Sequence, residues 1–433
     1  MELITTPYWW QDGAALPAPC DTVPAQAELV VVGGGFTGLG AALAAAEKGA
    51  QVVVFDAGQP GQGASTRNGG MIGAPHRPEF IRELVTYGPD LSARLMREGL
   101  EAYAHTRALH QASGAFQHTG RVQMAFTRAH FEAMAERARV MNRIEPQGIE
   151  VLDRNAMQAH IASDLYFGGL YYPDHGAVQP RRAHDGLMAR VRAAGVTICA
   201  ECPVIGMTPE GDGFRLQTAQ GSILARRLVW ATNGYTGVQS RWLARRIFRV
   251  PSFIIATEEL PAGVIDRLAP GGRMMVESRA RHSYFRPSPD GKRIIFGGRA
   301  ALVPINETEA AKRLGRTMAE IWPEAADWPI SHSWQGLLGF TFARNPHVGC
   351  HEGVHFAYGY CGNGVALSPW LGRKAALNAL GDPEGQTAFS ETRLESRPYH
   401  IGGKPWFMAL ASPWWRFVVD ARETVRARRD RAG

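Results

Sequence analysis

The chain has 433 residues, 45% hydrophobic and 20% charged, so it can bury a large core and exceeds the usual size of one domain. Its formal net charge is +7, a modest excess to which Arg416, Arg422, Arg426, Arg428, Arg429 and Arg431 contribute, and no basic stripe is interleaved with aromatics as nucleic-acid binding would require. Five cysteines, a low and odd count, argue against a disulfide framework and for a reducing compartment.

Residues 1–26 are rich in Pro, Ala and aromatics, among them Tyr8, Trp9 and Trp10, and read as an arm lying on the surface. They lack a basic region followed by an apolar core, so no secretory leader is expected and a cytoplasmic location is. Residues 29–46 are almost wholly apolar over about the length of a membrane span. Glycines at 33–35 and 38 divide the run, however, into a Val-rich strand, a turn and an Ala-rich helix. Residues 27–58 thus read β-α-β, and a Gly-rich stretch covers 58–73. Helical spacing follows over 79–112 and 129–145, the latter with Phe131, Met134, Ala138 and Met141 on one face, and 122–126 reads as a strand between them. The spacing predicts a helix from Pro180 closing at Gly195, then a strand. Strands are expected at 214–218, 222–232, 252–257, 283–287 and 293–298, the last two joined at Pro289-Asp290-Gly291. Cys199 and Cys202 form a C-x-x-C pair with no second pair at zinc-ligand spacing, so they are read as two cysteines near a strand end and no metal is expected.

The chemistry begins at Gly33-Gly34-Gly35-Phe36-Thr37-Gly38, which follows Val30-Val31-Val32 and precedes a second strand ending at Asp56. In a dinucleotide-binding βαβ unit the first glycine permits the tight turn, the second admits the pyrophosphate, and the third lets helix pack on strand. The free N–H groups of the helix start face the diphosphate. An acid about 20 positions on holds a ribose hydroxyl, and Asp56 stands at that distance, with Ala57 beside it. Asp56 also disfavours the extra phosphate of NADP.

The run Ala64-Ser65-Thr66-Arg67-Asn68-Gly69-Gly70 resembles the FAD-dependent amine and amino-acid oxidoreductases of the D-amino-acid oxidase type, nearest the γ-glutamylputrescine oxidoreductase branch. Three further segments resemble the same family over roughly 27–380: 228–236 with Ala231 and Thr232, the pair 284–287 and 296–299, and 359–366 with Gly362, Asn363, Gly364 and Val365. The resemblance implies an α/β fold, a Rossmann-type FAD-binding domain plus a substrate domain built on a large mixed β-sheet. It implies that Ser65 and the residues after it lie along the pyrophosphate and flavin, that Val204 meets the adenine, and that the helix starting near Gly364 points at the flavin. A helix N-terminus there would stabilise negative charge on the reduced ring. The implied reaction is loss of a hydride from the carbon beside the nitrogen of a small amine or amino acid to flavin N5, giving an imine that water hydrolyses, with oxygen as acceptor and peroxide as product.

No catalytic base is assigned. The candidates for substrate contact are Tyr284, Arg286, Arg299 and Trp334, with Arg67 bordering the flavin; arginine suits an anionic substrate because its fork donates two parallel hydrogen bonds. His282 and His76 have no assigned role. Sarcosine-oxidase-like members carry a lysine where Ile295 aligns, which opens the alternative of a dehydrogenase passing electrons to a quinone or carrier. Those members also attach flavin through a cysteine, where Leu337 and Leu338 fall here, so FAD is expected to be non-covalent; Cys350 and Cys361 lie elsewhere. Arg344 replaces the aspartate frequent in the γ-glutamylputrescine branch and hints at a different substrate charge. A third reading is an FAD-binding subunit or tRNA-modifying partner within a complex.

The expected division is 1–88, 179–240 and 331–385 for the FAD domain, 89–178 and 241–330 for the substrate domain, and 386–433 for a C-terminal extension. In that extension Trp406-Phe407 and Trp414-Trp415 precede the arginines, with Pro413 between. Packing on the body followed by a frayed basic tail is expected, rather than a membrane-surface helix. The oligomeric state is not legible.

Overall fold

Gln26–Val32 owes its place at the centre of a sheet to valines buried on both faces. The computed structural model describes residues 2–74, 80–400 and 405–432, with no side-chain description at 80–82 and 432; His76 lies outside the described residues. Gln26–Val32 pairs in parallel with Val52–Phe55, which pairs in parallel with Thr197–Cys199. On its other side it runs parallel to Gly221–Trp230. The first half of that strand continues into an antiparallel meander with Gly213–Thr218 and Val204–Glu210, while its last residues pair with Val354–Tyr358. The helix Phe36–Glu47, apolar nearly all round, crosses between the first two strands and is buried from Phe36 to Ala45. A second helix, Gly364–Ala379, crosses it at backbone contact: a Cβ at Gly40 would meet the Pro369 carbonyl oxygen at 2.3 Å, and one at Gly372 the Thr37 oxygen at 2.0 Å.

The second sheet has eight strands in the order Ile330–Thr341, Ile247–Thr257, Ile294–Gly298, Ser283–Pro287, Met274–Glu277, Arg121–Met124, Gly169–Tyr172 and Glu150–Leu152. All its pairs are antiparallel except Met274–Glu277 with Arg121–Met124. Side chains alternate along each strand, so register fixes which residues share a face. Phe253, Ile255, Phe285 and Phe296 point to one side and pack with Leu314 and Met318 of the helix Glu307–Ile321. Ser252, Ile254, Tyr284, Ile295, Gly297, Trp334 and Gly336 occupy the other, toward the first unit. Because Ile330–Thr341 pairs along its length with Ile247–Thr257, the boundary we propose between the two units falls after Thr341 rather than at 331.

Several local expectations are corrected. The helix over 79–112 is two helices joined at Gly88, whose φ of 77° precedes Pro89; proline disfavours the helical conformation of the residue before it. The strand expected at 252–257 starts at Ile247, running through Pro251, a residue that reads in sequence as a strand end. The N-terminal arm does lie largely on the surface, but Trp9 pins it: this side chain is wholly buried with Ile254, Ile295 and Trp334. The C-terminus is not frayed: it is helical through Phe407–Trp414, a wider turn at Trp415–Val419, and Asp420–Ala432. Its inner face does pack on the body, Phe407 against Phe248 and Phe342.

Candidate cofactor and substrate site

Gly33 ends the central strand with φ at 109°, a conformation that L side chains rarely adopt, and a Cβ there would lie 2.9 Å from the Ala231 carbonyl oxygen. Gly38 packs the following helix onto this turn; its Cβ would sit 1.7 Å from the Gly33 oxygen. Gly35 at the N-cap has no side chain to cap the helix, and the first helical N–H, that of Phe36, donates to Ser65 Oγ at 3.0 Å. Its opening N–H groups therefore point at a cleft of about 530 Å³. Asp56 stands at the edge, accepting from Gly34 N–H at 2.7 Å and Gly58 N–H at 3.0 Å. Burial pushes its carboxyl above the usual range, while these two amides pull it back. Cys202 N–H donates to the Asp56 carbonyl at 2.8 Å and so brings Val204 into the same wall.

Three indoles fix the segment after Gly63. Trp10 Nε1 donates to Thr66 Oγ1 at 2.9 Å, Trp334 Nε1 to the Arg67 carbonyl at 2.9 Å, and Trp9 Nε1 to the Asn68 carbonyl at 2.8 Å. Gly69 is a glycine because the Tyr284 ring would lie 2.8 Å from its Cβ, and Gly70 adopts φ of 70° against the Val178 carbonyl. On the far wall Gly362 has φ of 100°, and Gly364–Ala379 begins at Asn363 without a side-chain cap. Helix starts at Phe36 and Gly364 thus open on one cleft.

The structure brings Gly33, Gly35, Phe36, Thr37, Asp56, Ala57, Ser65, Asn68, Val204, Ala231, Thr232, Gly362, Gly364 and Val365 into the cleft wall. Gly38, Thr66, Arg67, Gly69, Gly70 and Asn363 do not line it. The wall also contains residues that sequence reading did not single out. Tyr235 accepts from Leu337 N–H at 3.4 Å, Tyr360 shares a 2.8 Å hydrogen bond with Thr37 Oγ1, and Leu338 and Gly339 come from the second sheet. Asn233, φ 43°, accepts from Gly359 N–H at 2.9 Å; the Asn-Gly pair at 233–234 was the available signal. Cys361, set aside earlier, is in this wall too.

Two substrate candidates are corrected. Arg286 is buried and its fork is consumed by the protein: Nε donates to Pro287 O at 2.9 Å, one terminal nitrogen to Val178 O at 2.9 Å, the other to Gln117 Oε1 at 2.9 Å. Burial lowers this guanidinium to about 9. Trp334 is fully buried against Trp9 and is core. Tyr284 and Arg299 lie nearer the open end of the same sheet face. Tyr284 hydroxyl meets Ser252 Oγ at 2.9 Å, and burial raises it to about 12. Arg299 stacks over Phe340, 5.6 Å from its ring centre. His282 is lowered to about 3 by burial, then by the Arg299 charge, so it is neutral at ordinary pH. Arg67 stacks on Trp10 at 4.7 Å and donates to Gln62 O at 2.7 Å. Arg344 lies away from the cleft wall, with φ of 60°.

Residues 28–377 match the family described as FAD dependent oxidoreductase (DAO). The chain belongs to this family. This FAD-dependent oxidoreductase is 30% identical over 402 residues to a probable oxidoreductase OrdL of Rhizobium meliloti, covering 90% of the chain and 91% of that protein. To the gamma-glutamylputrescine oxidoreductase of Escherichia coli K12 it is 27% identical over 380 residues, covering 86% and 88%. A crystal structure of glycine oxidase from Geobacillus kaustophilus shares the fold with a TM-score of 0.71 at 18% identity, over 87% of this chain and all of that one. The cleft fits FAD by its own geometry: its volume suits a small-molecule site, two helix starts whose N-cap residues make no side-chain capping bond suit phosphate and an electron-rich ring, and a Cβ at Gly35 would lie 2.8 Å from Ser65 Oγ.

Proposed function

We propose that the chain catalyses the FAD-dependent oxidation of a small primary or secondary amine or amino acid to an imine that water then hydrolyses. The observation that carries this reading is the facing of two surfaces: a cleft with two helix N-termini, and a sheet face that ends beside it at Leu338 and Gly339. FAD held in the cleft would supply the hydride acceptor that no side chain of the chain provides. The residues that would hold it are those of the wall, without a covalent bond. The substrate's place is the open end of the sheet face, where Arg299, Tyr284, His282 and Phe340 cluster and Arg67 lies against Gly336. Two guanidinium groups near this end favour a substrate carrying an anionic group. His282 binds protons too weakly to serve as a base at neutral pH, so the amine must arrive, or become, deprotonated by another route.

Oxygen is the favoured acceptor. The alternative, a quinone or carrier, is supported by Ile295, which sits in an apolar cluster of Trp9, Ile254, Ala256 and Trp334 with no ammonium group among them. Anaerobic mixing with a panel of amines and amino acids tests the reading. Bleaching of the oxidised-flavin absorbance by one class is the expected result; a flavin that dithionite reduces but no amine does would sink it. Readmitting air then separates the acceptors, since prompt peroxide release marks the oxidase and slow reoxidation the dehydrogenase.

A further inference from the structure

The C-terminal helical rod, Phe407–Trp414 through Asp420–Ala432, has two unlike faces. The inner one holds its acids: Asp420 pairs with Arg281, Glu423 accepts from Ala280 N–H at 3.1 Å, and Asp430 accepts from Arg128 N–H at 3.0 Å. Ala427 is fully buried between them. The outer face carries Trp406, Leu410, Trp414, Phe417 and Val425, spaced by three, four or eight residues as one stripe of a helix. These are not grazing exposures: Leu410 and Phe417 are 70% exposed and the two tryptophans 55%. Arg416, Arg422, Arg426, Arg428 and Arg429 are exposed around the stripe, and no exposed carboxylate lies on the rod among the described residues.

We propose that this face docks on the surface of an anionic lipid bilayer, with the rod lying in the plane of the interface. Apolar and aromatic side chains at helical spacing, rimmed by arginine, are what such binding needs: the stripe enters the acyl boundary while the guanidinium groups reach the head groups. Tryptophan favours that boundary because its ring is amphipathic. A protein partner is the weaker occupant. The exposed side chains of the rod are aliphatic, aromatic or arginine, and none offers a directional hydrogen-bonding pattern beyond the guanidinium groups. No helix among the described residues is long and apolar enough to cross a membrane, so the contact is peripheral. The inference does not depend on the identity of the amine or of the electron acceptor.

Flotation of the full-length holoprotein with vesicles of phosphatidylcholine alone, or mixed with phosphatidylglycerol, tests it. Binding to the mixed vesicles at least tenfold stronger than to phosphatidylcholine, and weakened by salt, is expected. The Leu410→Glu/Phe417→Glu variant should lose at least tenfold in binding while keeping its flavin absorbance and melting temperature. Absence of wild-type binding, equal binding to both vesicles, or undiminished binding by the variant overturns the proposal. Self-association abolished in the variant, without vesicle binding by the wild type, overturns it as well and assigns the face to a second copy.

Discussion

At Gly38 a methyl group would lie 1.7 Å from the Gly33 carbonyl oxygen, a backbone atom that cannot swing aside as a side chain would, with Val31 Cγ1 at 3.2 Å. Gly38→Ala is therefore expected to destabilise the protein by about 2–4 kcal/mol and to abolish flavin retention, read as melting temperature and flavin absorbance per protein. His110 shows a different stress. Its ring lies against Phe36, near His105 and His184, and neither ring nitrogen has a partner among the described residues. Burial, then the charges of those histidines, lowers it to about 4 from the ordinary 6.5. Between these values the unfolded chain binds more protons than the folded one, so stability is full above pH 6.5 and declines as pH falls toward 4. The decline from this one group is on the order of 3 kcal/mol. His110→Leu should flatten that slope in denaturation measured from pH 4 to 8, and leave stability at pH 8 unchanged within about 1 kcal/mol or higher. An unaltered slope would assign the acid sensitivity to other buried imidazoles such as His347, also lowered to about 4.

The 3-10 turn Tyr8–Trp10 and the strand Ile330–Thr341 act together on the segment at 66–68, through three indole N–H groups. That segment adjoins Ser65, whose hydroxyl meets the helix start, and it includes the wall residue Asn68, so the tryptophans set the position of the cleft wall without lining the cleft themselves. Trp10→Phe removes one hydrogen bond and is expected to cost about 1 kcal/mol with flavin affinity several-fold weaker; Trp9→Ala opens a cavity and should cost about 3–5 kcal/mol. Fluorescence titration of FAD into apoprotein and urea denaturation separate the two effects. Arg286 similarly ties the second sheet to Gly176–Val178 and Phe116–Gln117 through carbonyl and amide oxygens. Arg286→Lys, whose ammonium cannot reproduce the fork, should lower the melting temperature clearly and leave KM for the amine near its original value. A raised KM at unchanged melting temperature would return Arg286 to the substrate.

On the scale of the molecule, the two large sheets both contribute to the cleft wall and the C-terminal rod stands outside it. No residue of the cleft wall lies beyond Ser368. Truncation after His400 should therefore retain the flavin spectrum and most of the turnover, losing the stability supplied by contacts of the rod with the body, among them Phe407 against Phe248, the ion pair of Asp420 with Arg281, and the hydrogen bonds of Glu423 with Ala280 and of Asp430 with Arg128. Turnover and melting temperature of the truncated protein check this; loss of bound flavin would show that the rod also supports the cleft.

What the sequence by itself determined is the part whose causes are local. The strand, glycine turn, helix, second strand and Asp56 lie within about 30 residues, each dictated by its own turn and burial pattern. The hairpin at Pro289-Asp290-Gly291 was legible for the same reason, and the register of its strands in the structure puts Tyr284 and Arg286 on one sheet face. What only the tertiary structure decided is how each polar side chain on that face is used. Arg286 meets Val178 and Gln117, 108 and 169 residues away, and an arginine bound to carbonyls looks in sequence like one awaiting a carboxylate. The burial of Trp9, and the sorting of the C-terminal helix into an acidic inner face and an apolar, arginine-rimmed outer one, depend likewise on surfaces brought together only when the chain folds.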